Sequence, residues 1–205
     1  MPFTLDKHVT SKQEIVRSIS GQLLQAVSLP ELDNFGIVYD DPLVQFEQTL
    51  AAVGGSAIRV ADRESLRREL PQLEFMSTCN RIHCRVDCGI SSTVDLDAVA
   101  DPHELDDLDV AIMPGEFAVA ENAAVWVTDK GIHHRVAYFI AEHLVLVLDA
   151  AQMVHNMHQA YQRLQFGDPG YGVFISGPSK TADIEQSLVI GAQGPRSLHV
   201  FLLEH

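Results

Sequence analysis

Residues 177–185 collect side chains suited to holding a small anion: Gly177, Pro178, Ser179, Lys180, Thr181, Ala182, Asp183, Ile184 and Glu185. The apolar stretch 172–176 before them reads as a buried strand, so the segment reads as a tight turn and a helix start. Gly177 lets the backbone turn without a Cβ clash. Pro178 stiffens the turn and removes a donor, and Ser179 or Thr181 can cap the helix. Uncapped amides and the helix dipole then favour phosphate or carboxylate, with Lys180 as an added point charge. The stretch is not a P-loop, because Ser179 stands where that motif has glycine before lysine. Asp183, in the first helical turn, by default interacts with the dipole, a ligand contact being the second reading. Gly191, Ala192, Gln193, Gly194 and Pro195 close the helix and lead into a strand at 198–203. Ligands of open α/β sheets settle at the carboxyl ends of strands, which makes the first corner the leading site. The same residues also suffice simply to connect strand to helix.

Other chemistry is weaker. His155 and His158 share a helical face, and His133, His134 and His143 lie nearby in sequence. No Glu-x-x-His pair accompanies them, which favours ordinary surface or core histidines over a metal site. Cys79, Cys84 and Cys88 do not have iron–sulfur spacing and lack a fourth cysteine, so no iron–sulfur cluster is expected on this chain. Three close cysteines fit free thiols in a reducing cytoplasm. Residues 94–109 are acidic but lack the calcium-loop pattern.

The elements that must position these groups alternate between helix and strand. A first helix is expected over residues 12–27, and a second opens at Asp41-Pro42 and stops at Gly54-Gly55. Short strands are expected at 57–60 and 82–86, with a charged helix over 63–70 between them. Apolar runs at 110–113, 124–127, 136–140 and 144–148 read as further strands, the last two uninterrupted as doubly covered strands tend to be. Asp149 can cap a helix that carries Ala150, Val154, Met157, Tyr161 and Leu164 at helical spacing. The 205 residues, 46% hydrophobic and 20% charged, suit one α/β domain, with residues 1–55 as a helical extension packed on it. The net charge of −14 argues against nucleic acid and anionic membrane surfaces as partners. No apolar run is long enough for a membrane span, and residues 1–20 have no secretory signal. A cytoplasmic protein is expected.

The stretch 177–185, the second corner 191–195 and the final apolar strand resemble the carboxyl-terminal signature of the LUD domain, as in C-type lactate-utilisation proteins. Upstream, Ala120, Glu121 and the strand after them resemble that family's Ala-Glu-Thr-Gly-Thr segment. The likeness runs from about residue 105 to residue 205. It implies a three-layer α/β sandwich with a mainly parallel sheet, like that of the sugar-phosphate isomerases and coenzyme A transferases. It further implies a subunit of a system that oxidises L-lactate to pyruvate with companion iron–sulfur proteins. This chain would bind a small anionic or nucleotide-like ligand or act as a scaffold, alone or with a second copy of itself.

Glu121 matches the family's glutamate, and a carboxylate at a strand end can serve as a base or nucleophile. A stand-alone transferase or isomerase using Glu121 is therefore the alternative. The chain departs from the pattern twice. Asn122, Ala123 and Ala124 replace Thr-Gly-Thr, and Gln193 stands where histidine is common. Glutamine hydrogen-bonds but does not shuttle protons near neutral pH.

Overall fold

The computed structural model describes residues 11–21, 28, 30–32, 35–164, 167, 170–181 and 189–204. The chain divides into two compact units, Met1–Asn34 and Phe35–His205. The first contains helix α1 (Ser11–Ser20), which ends where the Gly21 amide donates to the Arg17 carbonyl at 3.0 Å. Residues 22–27 of the expected helix lie outside the described residues.

The second unit is built on a five-stranded, wholly parallel sheet. Its members are β1 (Ser56–Val60), β2 (Ile82–Cys84), β3 (Val110–Pro114), β6 (His143–Asp149) and β9 (Ser197–Leu203), in the order β1-β9-β6-β3-β2. Strand β6 shows why they pair. Leu144, Leu146 and Leu148 belong to the larger core cluster, and Val145 and Val147 to a second one. Successive side chains of a strand point to opposite faces, so an unbroken apolar run serves a sheet covered on both sides.

One face is covered by α3 (Arg63–Glu69), whose Leu66 is fully buried. The other face packs with α2 (Pro42–Ala52) and a second, four-stranded sheet, β7-β4-β5-β8. That sheet contains β4 (Phe117–Val119), β5 (Ala124–Thr128), β7 (Met153–Val154) and β8 (Gly172–Ile175). β4 and β8 each pair antiparallel with β5, and β7 pairs parallel with β4. Phe117, Trp126 and Phe174 cluster on its outer side with Ala160 of α5 (Met157–Arg163). The α/β architecture with a mainly parallel central sheet is therefore the one expected.

Helix α2 starts as its sequence dictates. The Asp41 side chain accepts from the amides of Leu43 and Val44, and Pro42 occupies the first turn, where its missing amide does no harm.

Three local expectations need correction. Residues 137–140 form a helical turn, α4 (Ala137–Ile140), not a strand. Both edges of β6 are taken by β3 and β9, and the segment closes on itself through Ile140 N to Val136 O at 2.9 Å. Asp149 caps only a short 3-10 turn, Ala150–Gln152. The α-helix begins at Met157, with Asn156 as its cap, because β7 intervenes to pair with β4. Finally, β8 and β9 do not form one strand–helix–strand unit. β8 belongs to the small sheet and β9 lies inside the parallel one. Among the described residues, no helix is long and apolar enough to cross a membrane.

Candidate functional site

Strand β8 runs directly into the first glycine corner. Gly177 adopts φ 73°, and a Cβ there would stand 2.9 Å from Val53 Cγ2 and 3.0 Å from the Val53 carbonyl oxygen. Both backbone conformation and space therefore require glycine. Pro178 is buried and packs against Gly54. The Lys180 ammonium donates to the Val53 carbonyl.

The second corner is interlocked with the first. Ser179 N donates to Pro195 O at 2.8 Å, Gly191 N to Ser179 O at 3.0 Å, and Thr181 N to Val189 O at 3.1 Å. Lys180 and Ile190 form an antiparallel bridge. Gly194 lies so close to Ser179 that an added Cβ would meet the serine Cβ at 3.0 Å. The amides of Ser179 and Thr181, expected to face solvent, are thus engaged within the protein. Asp183 and the rest of 182–188 lie outside the described residues.

The position of the paired corners also differs from the expectation. Pro195 leads into the amino end of β9, and Arg196 N donates to Glu142 O at 2.7 Å, at the amino end of β6. The corners therefore flank the amino ends of the parallel strands, not the carboxyl ends, because β8 delivers the chain from the other sheet.

A cleft of about 330 Å³ opens there, lined by Phe139, Ile140, Glu142, Gly191, Gln193 and Arg196 among others. Arg196 Nη1 pairs with Glu142 Oε1 at 2.7 Å on its rim. Behind it, His143 Nδ1 lies 2.8 Å from Ser197 Oγ, and the Phe75 ring stacks on His143 at 4.1 Å. This combination offers an apolar wall, a charged pair and the amide side chain of Gln193. It suits binding of a small polar molecule.

Glu121 sits in the turn between β4 and β5. Its carboxylate accepts from Met157 N at 2.9 Å, and its own amide donates to His155 O at 3.1 Å. The turn is tied to the first corner, since Ser176 Oγ donates to Asn122 O at 2.7 Å. Ala123, where the family segment has glycine, is buried with φ 54°. The left-handed turn is kept although the residue that favours it is not.

Sequence reasoning missed a second crevice, of about 370 Å³, at the carboxyl ends of the parallel strands. Arg63, Arg85, Asp87, Pro114, Asp149 and Leu203 line it. The available signal was the polar residue or proline that ends each apolar run, which becomes a site only once the strands are known to be parallel. The histidines are dispersed: His155 Nδ1 accepts from Tyr39 N at 3.1 Å, and His134 Nε2 lies 2.7 Å from Val99 O. His83 is buried, with Nδ1 3.0 Å from Val94 O. Burial holds the pKa of His83, His143 and His199 below the ordinary histidine value.

A core built on one parallel sheet, with two interlocked glycine loops at its edge, defines an α/β protein with a carboxyl-terminal signature region. The LUD domain model matches residues 95–203, just over half of the chain and all of that region, and the chain belongs to the LUD domain family. It is similar to Lactate utilization protein C 1 of Bacillus mycoides (strain KBAB4), with 29% identity over 97 residues, 42% of this chain and 40% of that protein. Lactate utilization protein C of Shouchella clausii (strain KSM-K16) is 32% identical over 92 residues, again 42% and 40% of the two chains. The matched segment thus spans about two-fifths of these relatives' length. The crystal structure of a DUF162 family protein from Deinococcus radiodurans shares the fold, with a TM-score of 0.59 at 15% identity. That likeness covers 82% of this chain and 99% of that one.

Proposed function

We propose that this protein is a subunit of a lactate-utilisation system and that its own contribution is binding. In such a system L-lactate loses two electrons and two protons to become pyruvate, and companion iron–sulfur proteins in the cytoplasm take up the electrons. The present chain would hold a small anionic or nucleotide-like ligand at the paired corners, or keep its partners together. The relatives' names support the system. The observation that carries the binding role is the 330 Å³ cleft beside Gly191 and Gln193, with the Glu142–Arg196 pair on its rim. Glutamine at 193 supports hydrogen bonding there over proton transfer.

The test has two arms. In a thermal-shift panel of lactate, pyruvate, nucleotides and coenzyme A esters, a ligand of the native state at a hundredfold excess over its Kd adds about 2.7 kcal/mol. A rise in melting temperature of several degrees is expected for one class, and it should disappear in Arg196→Ala. In a host with no second lactate route, deleting the gene should abolish growth on L-lactate. Unchanged growth would refute the assignment to that system.

The alternative, a transferase or isomerase of the same architecture using Glu121, draws support from the Ser176–Asn122 hydrogen bond linking the Glu121 turn to the first corner. Against it stands the engagement of the carboxylate by the Met157 amide. Full activity of Glu121→Gln on any substrate found would remove it.

A further inference from the structure

Two sulfurs lie 3.3 Å apart at the carboxyl end of β2. Cys84 ends the strand. Cys88 follows a tight turn in which its amide donates to Val86 O at 2.8 Å, and the next residue, Gly89, takes φ 78°. The two thiols differ in surroundings. Cys88 is fully buried in the core cluster that contains Leu66 and Leu70. Cys84 is half-buried and lines a cleft of about 560 Å³ with His83, Arg85, Ser92, Val94 and Asp95.

The charge distribution follows. The hydrogen-bonded contact with Cys84, helped by the Ile90 amide, brings the Cys88 thiol down to about 7. The same contact, together with burial, pushes the Cys84 thiol up, and the Cys84 thiol also reaches the Val86 carbonyl at 3.1 Å. Once the pair has lost one proton, the negative charge is therefore shared across the sulfur–sulfur contact.

We propose that Cys84 and Cys88 form a reversible intramolecular disulfide when the protein meets a hydroperoxide, Cys84 being oxidised first and Cys88 resolving it. Access sets the order, because Cys84 faces the cleft. The shared proton settles on Cys88 as the Cys84 sulfur attacks one oxygen of hydrogen peroxide. The oxygen–oxygen bond breaks, giving Cys84 sulfenic acid and a hydroxide ion, which takes a proton from solvent to become one water. The Cys88 sulfur then bonds to the Cys84 sulfur, and the displaced hydroxyl leaves as a second water with the Cys88 proton. Two thiols and one peroxide become one disulfide and two waters, and a dithiol reverses the change.

Closing the sulfurs to the bonded distance of about 2.05 Å must move the turn between them. Arg85, Val86 and Asp87 of that turn also line the crevice at the carboxyl ends of the parallel strands. Oxidation at the thiol pair therefore reshapes that crevice.

The full chain, reduced and then exposed to hydrogen peroxide, provides the test. Trypsin cuts after Arg81, Arg85 and Lys130, so the disulfide joins peptide 82–85 to peptide 86–130. The joined peptide should appear with a mass lower by two hydrogens and vanish on treatment with dithiothreitol. It should persist in Cys79→Ser and be lost in Cys84→Ser and Cys88→Ser. In Cys88→Ser a sulfenic acid should be trapped by dimedone at Cys84. A bridge through Cys79, a bridge between molecules, or wild-type protein that keeps both thiols or stops at a sulfinic acid would overturn the proposal. Because the wild-type map needs no substitution, it decides the matter even if a variant fails to fold.

Discussion

The Glu121 carboxylate accepts the Met157 amide hydrogen at 2.9 Å, joining the β4–β5 turn to the first turn of α5. Asn156 satisfies the Gln159 amide, so the helix start takes side-chain acceptors from two separate parts of the chain. Removing an acceptor at a helix start costs about 1 kcal/mol. Glu121→Ala should therefore lower the unfolding free energy by about that amount in urea titration, whereas Glu121→Gln, which keeps an acceptor, should change it by less than about half as much. A large loss in Glu121→Gln would show that the negative charge, not the hydrogen bond, matters at this turn.

Gly177 is constrained twice, by φ 73° and by Val53 at 2.9 Å from any added Cβ. Left-handed backbone at a residue other than glycine costs about 1–3 kcal/mol. Gly177→Ala should destabilise the protein by at least that much and loosen the paired corners. Amide exchange at Ser179, which donates to Pro195, should accelerate with it. Unaltered exchange at Ser179 would mean that the two corners hold each other without the glycine.

Acid should weaken the fold through one buried and two half-buried histidines. The pKa of His83 and of His143 is depressed chiefly by burial, and that of His199 by burial and then by His143. In the unfolded chain each returns to about 6.5. Below that pH the unfolded chain takes up protons that the folded one refuses, so stability is full above about 6.5 and falls as pH drops toward the folded values. The urea midpoint should be flat from pH 8 to 7 and decline between pH 6.5 and 5. The decline should be shallower in His199→Leu, where a buried, unpartnered ring nitrogen is removed.

Tyr138 is fully buried, and its hydroxyl donates to Thr128 O at 3.1 Å. Tyr138→Phe keeps the ring but leaves that carbonyl unpaired, which costs about 1–3 kcal/mol. Tyr138→Ala adds a cavity and should cost about 3–5 kcal/mol. Calorimetry of the two variants separates the hydrogen bond from the packing.

Residues 110–113 and 144–148 were readable as strands because a strand covered on both faces is apolar without interruption. Asp41-Pro42 announced α2 because a cap and a first-turn proline act within a few residues. The glycine corners were equally legible, since a left-handed turn constrains the residue that makes it. The Glu121 turn shows the limit: Ala123 keeps the backbone conformation of a glycine, and nothing in its own residue type announces it.

What the sequence by itself determined is thus the set of elements whose hydrogen bonds and burial are settled locally. The tertiary structure alone decided that β8 and β9 belong to different sheets, which carries the paired corners to the amino ends of the parallel strands. It turned the apolar run 137–140 into a helical turn by filling both edges of β6. It also set Cys84 and Cys88 on either side of a turn with their sulfurs in contact. The physical reason is common to the first two. A strand's partner is chosen by backbone groups and core faces far away in the chain, and an apolar run has the same composition whichever partner it finds.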